Sequence, residues 1–231
     1  MSPSSPPRKL RIDLVSDVVC PWCIVGYRQL ERALEDLQGE IESELHWHPF
    51  ELNPRMPREG QNLRDHILEK YGSSAEDSET VRTHLTELGD ELDFNFRFTA
   101  DQKFYNTFDA HRLIAWADPR GRAHQLKMAL FESYFSKGED VSDHLVLKNL
   151  AAQVGLDPKD ADQVLRSDAF ATEVRAEEAA WQTRGISGVP AFILEGKYLI
   201  TGAQGEQALT AALRQVQAES QGQEANPQPH E

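Results

Sequence analysis

Ser16-Asp17-Val18-Val19-Cys20-Pro21-Trp22-Cys23 joins an apolar strand pattern to a helical one across two cysteines separated by two residues. Upstream, Leu10-Arg11-Ile12-Asp13-Leu14-Val15 alternates apolar and polar side chains and then turns fully apolar, which predicts a strand entering a sheet. Downstream, Val25, Leu30, Ala33, Leu34 and Leu37 recur at helical spacing until Gly39 supplies a stop. The pair therefore sits at a strand-to-helix junction, and the chain has no other cysteine.

That junction suits thiol chemistry. A cysteine attacks as its thiolate, and the first turn of a helix offers unpaired N–H groups and the positive end of the helix dipole to such an anion. Cys20 takes that place, with Pro21 fitting the first helical position, where a missing N–H loses nothing. Cys23 lies one turn further in, so the expected division is Cys20 as exposed nucleophile and Cys23 as buried resolving thiol. Trp22 offers an apolar surface beside the point of attack, for substrate or for packing. A zinc site is the other use of such a pair, but it needs four ligands, and His46 and His48 would have to complete it. Redox use is favoured, with no metal and no organic cofactor.

At 231 residues the chain can bury a core without disulfide staples, so stability does not explain the cysteines. A formal charge of −14 disfavours nucleic acid and anionic membranes as partners. The N-terminal Met1–Lys9 stretch lacks the apolar run of a signal peptide, and no segment approaches the roughly 20 apolar residues of a membrane span. The expected compartment is the cytoplasm, where close cysteine pairs are catalytic or metal-binding more often than structural.

Further along, Glu44 to Phe50 reads as a second strand, broken by Asn53-Pro54-Arg55-Met56-Pro57. From Asn62 to Arg184 the spacing is helical, apart from an extended Phe94, Phe96, Phe98 alternation. Two strands, Ala191–Leu194 and Tyr198–Thr201, flank a turn at Glu195-Gly196-Lys197, and a helix with Leu209, Leu213 and Val216 follows. The organisation expected is an α/β fold: residues 9–57 as β-α-β, an all-helical insertion over 58–184, a β-β-α part over 185–216, and a disordered Gln/Glu/Pro/Gly-rich tail from 217 to 231.

Gly188-Val189-Pro190, leading into an apolar strand far downstream of C-x-x-C, resembles the cis-proline loop of the thioredoxin fold. Together with Phe50-Glu51-Leu52-Asn53-Pro54, Asn106-Thr107-Phe108-Asp109-Ala110-His111-Arg112-Leu113 and Ile200-Thr201-Gly202-Ala203-Gln204, the cysteine motif makes nearly the whole chain resemble the DsbA-like thioredoxin-fold oxidoreductases. Within them it is similar to the FrnE-type branch, related to 2-hydroxychromene-2-carboxylate isomerases. The resemblance implies a thioredoxin-like sheet with a large helical insertion, a cis Val189–Pro190 bond facing the cysteines, and free Val189 backbone groups that pair with an extended substrate. It also implies that Asn53 and the Val189-Pro190 loop border the substrate cleft, with glutathione as a co-substrate; His111, on the helix from Phe108, is a further candidate to face that cleft and relay a proton. Partners would be protein or low-molecular-weight thiols and disulfides, with a second copy of the chain docking on the apolar insertion. Isomerase relatives have serine where this chain has Cys20, so two retained thiols favour dithiol exchange. A glutathione-dependent isomerase or transferase, and a peptide-binding holdase, are the alternatives.

Overall fold

The computed structural model describes residues 9–72 and 74–225. Met1–Arg8, part of the stretch read as lacking a signal peptide, lies outside the described residues, as do positions 226–231 of the expected tail. The elements run β1 (Leu10–Ser16), α1 (Pro21–Asp36), β2 (Ser43–Pro49), β3 (Gln61–Asn62), α2 (Leu63–Tyr71), α3 (Ala75–Glu91), β4 (Lys103–Phe104), α4 (Phe108–Ala117), α5 (Ala123–Phe131), α6 (His144–Gln153), α7 (Pro158–Arg166), α8 (Ala171–Thr183), β5 (Ala191–Leu194), β6 (Tyr198–Thr201) and α9 (Glu206–Ala225).

Four strands form one sheet in the order β2-β1-β5-β6, with β1 parallel to β2 and antiparallel to β5. Period-2 alternation sorts the side chains. Ile12, Leu14, Phe192 and Leu194 enter the main core with Leu30 of α1 and Leu213 of α9. Val15, Ala191 and Ile193 point to the other face, where Trp181 of α8 covers them. Being buried on both faces explains why β5 is wholly apolar. At its end Glu195 and Gly196 both have positive φ, so glycine suits the tight turn to β6.

The β-α-β and β-β-α halves thus make a thioredoxin-like α/β sheet, and residues 58–184 between them are mostly helical. Two expectations need correction. The insertion is not all-helical, because β3 and β4 pair as a two-residue antiparallel ribbon, Gln61 opposite Phe104. The stretch from Gln217 is not unstructured at its start, because α9 continues to Ala225. Glu, Gln and Ala are good helix formers, so the polar composition does not stop the helix at Gln217. The phenylalanine alternation forms no strand, yet Phe94 and Phe96 are buried, and the Arg97 N–H between Phe96 and Phe98 bonds the Phe135 carbonyl at 2.8 Å.

Candidate active site

Cys20 is the N-cap of α1 in an extended conformation, Pro21 opens the first turn, and the Cys23 N–H bonds the Cys20 carbonyl at 3.1 Å. Both thiols are free. The Val189–Pro190 peptide is cis, and the Cys20 thiol donates to the Val189 carbonyl across 3.7 Å. The fold therefore brings together two motifs 169 residues apart. Gly26 permits this approach: a Cβ there would lie 3.0 Å from the Phe192 ring and 3.2 Å from Pro190 Cγ.

The expectation of an exposed Cys20 does not hold. Cys20 is 3 % exposed and Cys23 0 %. The physical reason is the insertion, which roofs the junction. Cys20 opens onto a cavity of ≈ 350 Å³ lined by Trp22, by Leu63 and Ile67 of α2, by Val81 and Leu85 of α3, and by Tyr134 and Phe135. The last two lie on a π-helical turn, Glu132–Lys137, that continues α5; such turns are frequent at functional sites. The Trp22 ring is 6.1 Å from that of His84 on α3. The Val189 carbonyl is also engaged by the thiol rather than free.

Burial and the neighbouring thiol set the electrostatics. The Cys20 thiol is pushed well above its ordinary value, first by the Cys23 side chain beside it and second by burial; the Cys23 N–H opposes this. Asp17 is 1 % exposed and accepts the Leu52 N–H at 2.7 Å. Burial raises its carboxyl, but His111, the Leu52 N–H and the Lys127 charge outweigh that and hold it below the usual carboxylate range. Lys127 on α5 is 1 % exposed and donates to the Ser16 carbonyl at 3.1 Å. Burial lowers it to about 8, against the opposing pull of negative charge at Cys23, Asp17 and Cys20.

The structure brings Cys20, Cys23, Trp22, Val189 and Pro190 together and leaves Asn53 and His111 outside the thiol cavity. Asn53 lines a separate cavity with Arg55 and Lys70, where its side-chain oxygen accepts from His66 at 3.0 Å. His111 lies behind Asp17. Its Nε2 donates to the Phe50 carbonyl at 3.0 Å and is 3.4 Å from Asp17 Oδ1, and it lines a third cavity on the far side with Lys127. Lys127 was missed by sequence reasoning. Its signal was a lone lysine within the apolar spacing of Leu126, Met128, Leu130 and Phe131, which reads as a solvated side chain until α5 packs it against the end of β1 and Trp47. Among the described residues no three His, Cys, Asp or Glu side chains are grouped for a metal. His48 is instead bonded to Asp13 at 2.7 Å and to Glu177. No helix among the described residues is long and apolar enough to cross a membrane.

A cysteine pair at a helix N-terminus, facing a cis-proline loop on a sheet of this order, defines a thioredoxin-fold protein with a dithiol site. Residues 11–214 match the DSBA-like thioredoxin domain, and the chain belongs to that family. The probable DsbA oxidoreductase of Streptomyces coelicolor is 33 % identical and superposes with a TM-score of 0.86 over 91 % of each chain. YwbO of Bacillus subtilis (strain 168) is 26 % identical over 90 % of this chain and 98 % of its own. A 2-hydroxychromene-2-carboxylate isomerase is 16 % identical, with a TM-score of 0.66 over 92 % of this chain and 98 % of that one. At that identity the likeness is one of fold.

Proposed function

We propose that this DsbA-like protein is a thiol-disulfide oxidoreductase working through the Cys20–Cys23 dithiol. The observation that carries the reading is the Cys20 thiol set against Val189 of the cis-proline loop and opening onto an apolar cavity. One sulfur of a substrate disulfide enters that cavity. The Cys20 thiolate attacks it, forming a mixed disulfide and releasing a thiol, and Cys23, one turn deeper, attacks Cys20 Sγ and releases the second. The Val189–Pro190 loop and Trp22 hold the substrate beside the reacting sulfurs. Lys127, buried behind the pair, exchanges the proton that Cys23 gives up, while the Asp17 carboxylate stays ionised beside it. Neither a metal nor an organic cofactor takes part, and the substrates are proteins or small thiols and disulfides. The FrnE-type branch and a cytoplasmic location complete the proposal. The chain's charge of −14 disfavours nucleic acid and anionic membrane partners.

Mild oxidation followed by mass spectrometry tests the reading directly. A Cys20–Cys23 disulfide is expected, and Cys20→Ser is expected to abolish disulfide reductase activity. Intact activity in that variant would overturn the proposal. The isomerase alternative predicts instead glutathione binding that survives Cys20→Ser, measurable by calorimetry.

A further inference from the structure

Gln102, immediately before β4, lines the cavity that holds Cys20 and is 7 % exposed. Neither its amide nitrogen nor its amide oxygen has a hydrogen-bond partner among the described residues. Its root is nonetheless fixed: the Gln102 carbonyl accepts the Leu63 N–H at 2.8 Å, and the Gln102 N–H bonds the Thr99 carbonyl at 3.4 Å. Folded chains rarely leave a buried amide in this state, because it has given up water without a replacement. Nearby polar groups are already committed. Ser78 Oγ accepts from the Arg82 guanidinium at 3.0 Å, and the Tyr134 hydroxyl donates to the Lys103 carbonyl at 2.8 Å.

A primary amide presents a donor and an acceptor side by side. Its complement is one residue of an extended peptide, whose own N–H and C=O point to the same side. The terminal torsion of glutamine is soft, so a small rotation turns the amide from the cavity wall toward an occupant. The remaining wall is apolar. No lysine or arginine stands among the described residues lining it, and Asp77 at its edge is acidic. Glutathione disulfide would have to bring carboxylates into this wall with no cation to receive them.

We propose that Gln102 is a specificity-determining residue that pairs with the backbone N–H and C=O of a residue flanking the substrate cysteine. The cavity then selects neutral, apolar cysteine peptides over glutathione disulfide. This rests on the dithiol reading above and adds the substrate class. In one turnover the Cys20 thiolate attacks one sulfur of RS–SR, forming Cys20–S–SR and expelling RS⁻, which takes up a proton. The Cys23 thiolate attacks Cys20 Sγ, closes the Cys20–Cys23 disulfide and expels the second RS⁻, which is likewise protonated. The protein dithiol supplies both electrons and both protons, so a single turnover needs no other reductant.

The test is single-turnover oxidation of the reduced full chain, acid-quenched and read by mass spectrometry. Three probes are compared: the disulfide of N-acetyl-Leu-Cys-N-methylamide, glutathione disulfide, and bis(2-hydroxyethyl) disulfide, which has no amide. Wild-type protein is expected to react fastest with the peptide. Gln102→Leu, which keeps size and removes the amide, is expected to slow the peptide reaction about tenfold and the hydroxyethyl reaction less than about twofold. Gln102→Met repeats the comparison with different packing, so misfolding of one variant does not hide the result. Equal slowing with all probes, no slowing with the peptide, or a wild-type preference for glutathione disulfide overturns the inference. Wild-type protein that oxidises with none of them overturns the dithiol reading itself.

Discussion

The Lys127 ammonium donates to the backbone carbonyl of Ser16 across 3.1 Å, in the interior at the end of the strand that leads into the cysteine turn. The Trp47 and Phe131 rings flank it, 5.4 and 5.2 Å from the nitrogen. A lysine brought to about 8 by burial holds and releases a proton close to neutral pH, which an ordinary lysine does not. Lys127→Met is therefore expected to slow the attack of Cys23 on a trapped Cys20 mixed disulfide by about tenfold to a hundredfold. The wild-type rate should show an inflection near pH 8 that the variant lacks. Quenched-flow mass spectrometry measures both, and identical pH profiles would remove Lys127 from the exchange.

Gly26 is a positioning residue of a different kind. A Cβ there already presses on Phe192 and Pro190, so a branched side chain must push α1 away from the loop that faces Cys20. Gly26→Val is expected to destabilise the fold by about 1–3 kcal/mol, the usual range for overpacking. Because the displaced contact is part of the site, the second-order rate with disulfides should fall as well. Denaturant titration and single-turnover kinetics report the two effects. A stability loss with an unchanged rate would mean that the loop follows the helix.

The sheet was legible because its strands obey two simple codes: polar alternation in β1, and an unbroken apolar run in β5 that only two-sided burial explains. The dithiol was legible because Cys20 caps α1 and proline opens its first turn. The roof was not. The π-helical turn carrying Tyr134 and Phe135 leaves no periodic mark distinct from α5, and the burial of Lys127 follows from tertiary packing alone. Asn53 and His111 lie close in sequence to site elements, but a hydrogen-bond partner drew each elsewhere: His66 holds Asn53, and the Phe50 carbonyl turns His111. α9 outran its apolar stripe because its polar residues favour helix without needing to be buried.

The two thiols also make a prediction about each other. The Cys20 thiol is raised first by its bond with Cys23 and then by burial, so at neutral pH its thiolate fraction is small. Iodoacetamide should alkylate it slowly at pH 7 and faster as pH rises past the ordinary cysteine value. Cys23→Ala removes the leading cause, so the alkylation profile should move to lower pH. At about pH 8 the variant should react several-fold faster than wild type. A profile unmoved by Cys23→Ala would assign the shift to burial alone.

His48 gives the fold its own pH dependence. Burial lowers its basicity, but the bonds to Asp13 and Glu177 more than offset this and raise it above the ordinary histidine value. Asp13 is moved the other way: burial raises its carboxyl, while His48 and Arg11 together bring it far below the usual range. A raised histidine contributes stability below its unfolded value of ~6.5 and loses it as pH climbs through the folded value. A depressed carboxylate contributes above its unfolded value of ~3.9 and loses it as pH falls through the folded one. The clamp is therefore complete between about pH 4 and pH 6.5. His48→Gln leaves the buried Asp13 with Arg11 as its remaining cationic partner and should destabilise the protein by about 1–3 kcal/mol within that window. The gap to wild type should narrow as pH rises above the window, as denaturation at a series of pH values would show. A difference independent of pH would mean that His48 acts through its packing on Trp181, 4.8 Å between ring centres, and not through its charge.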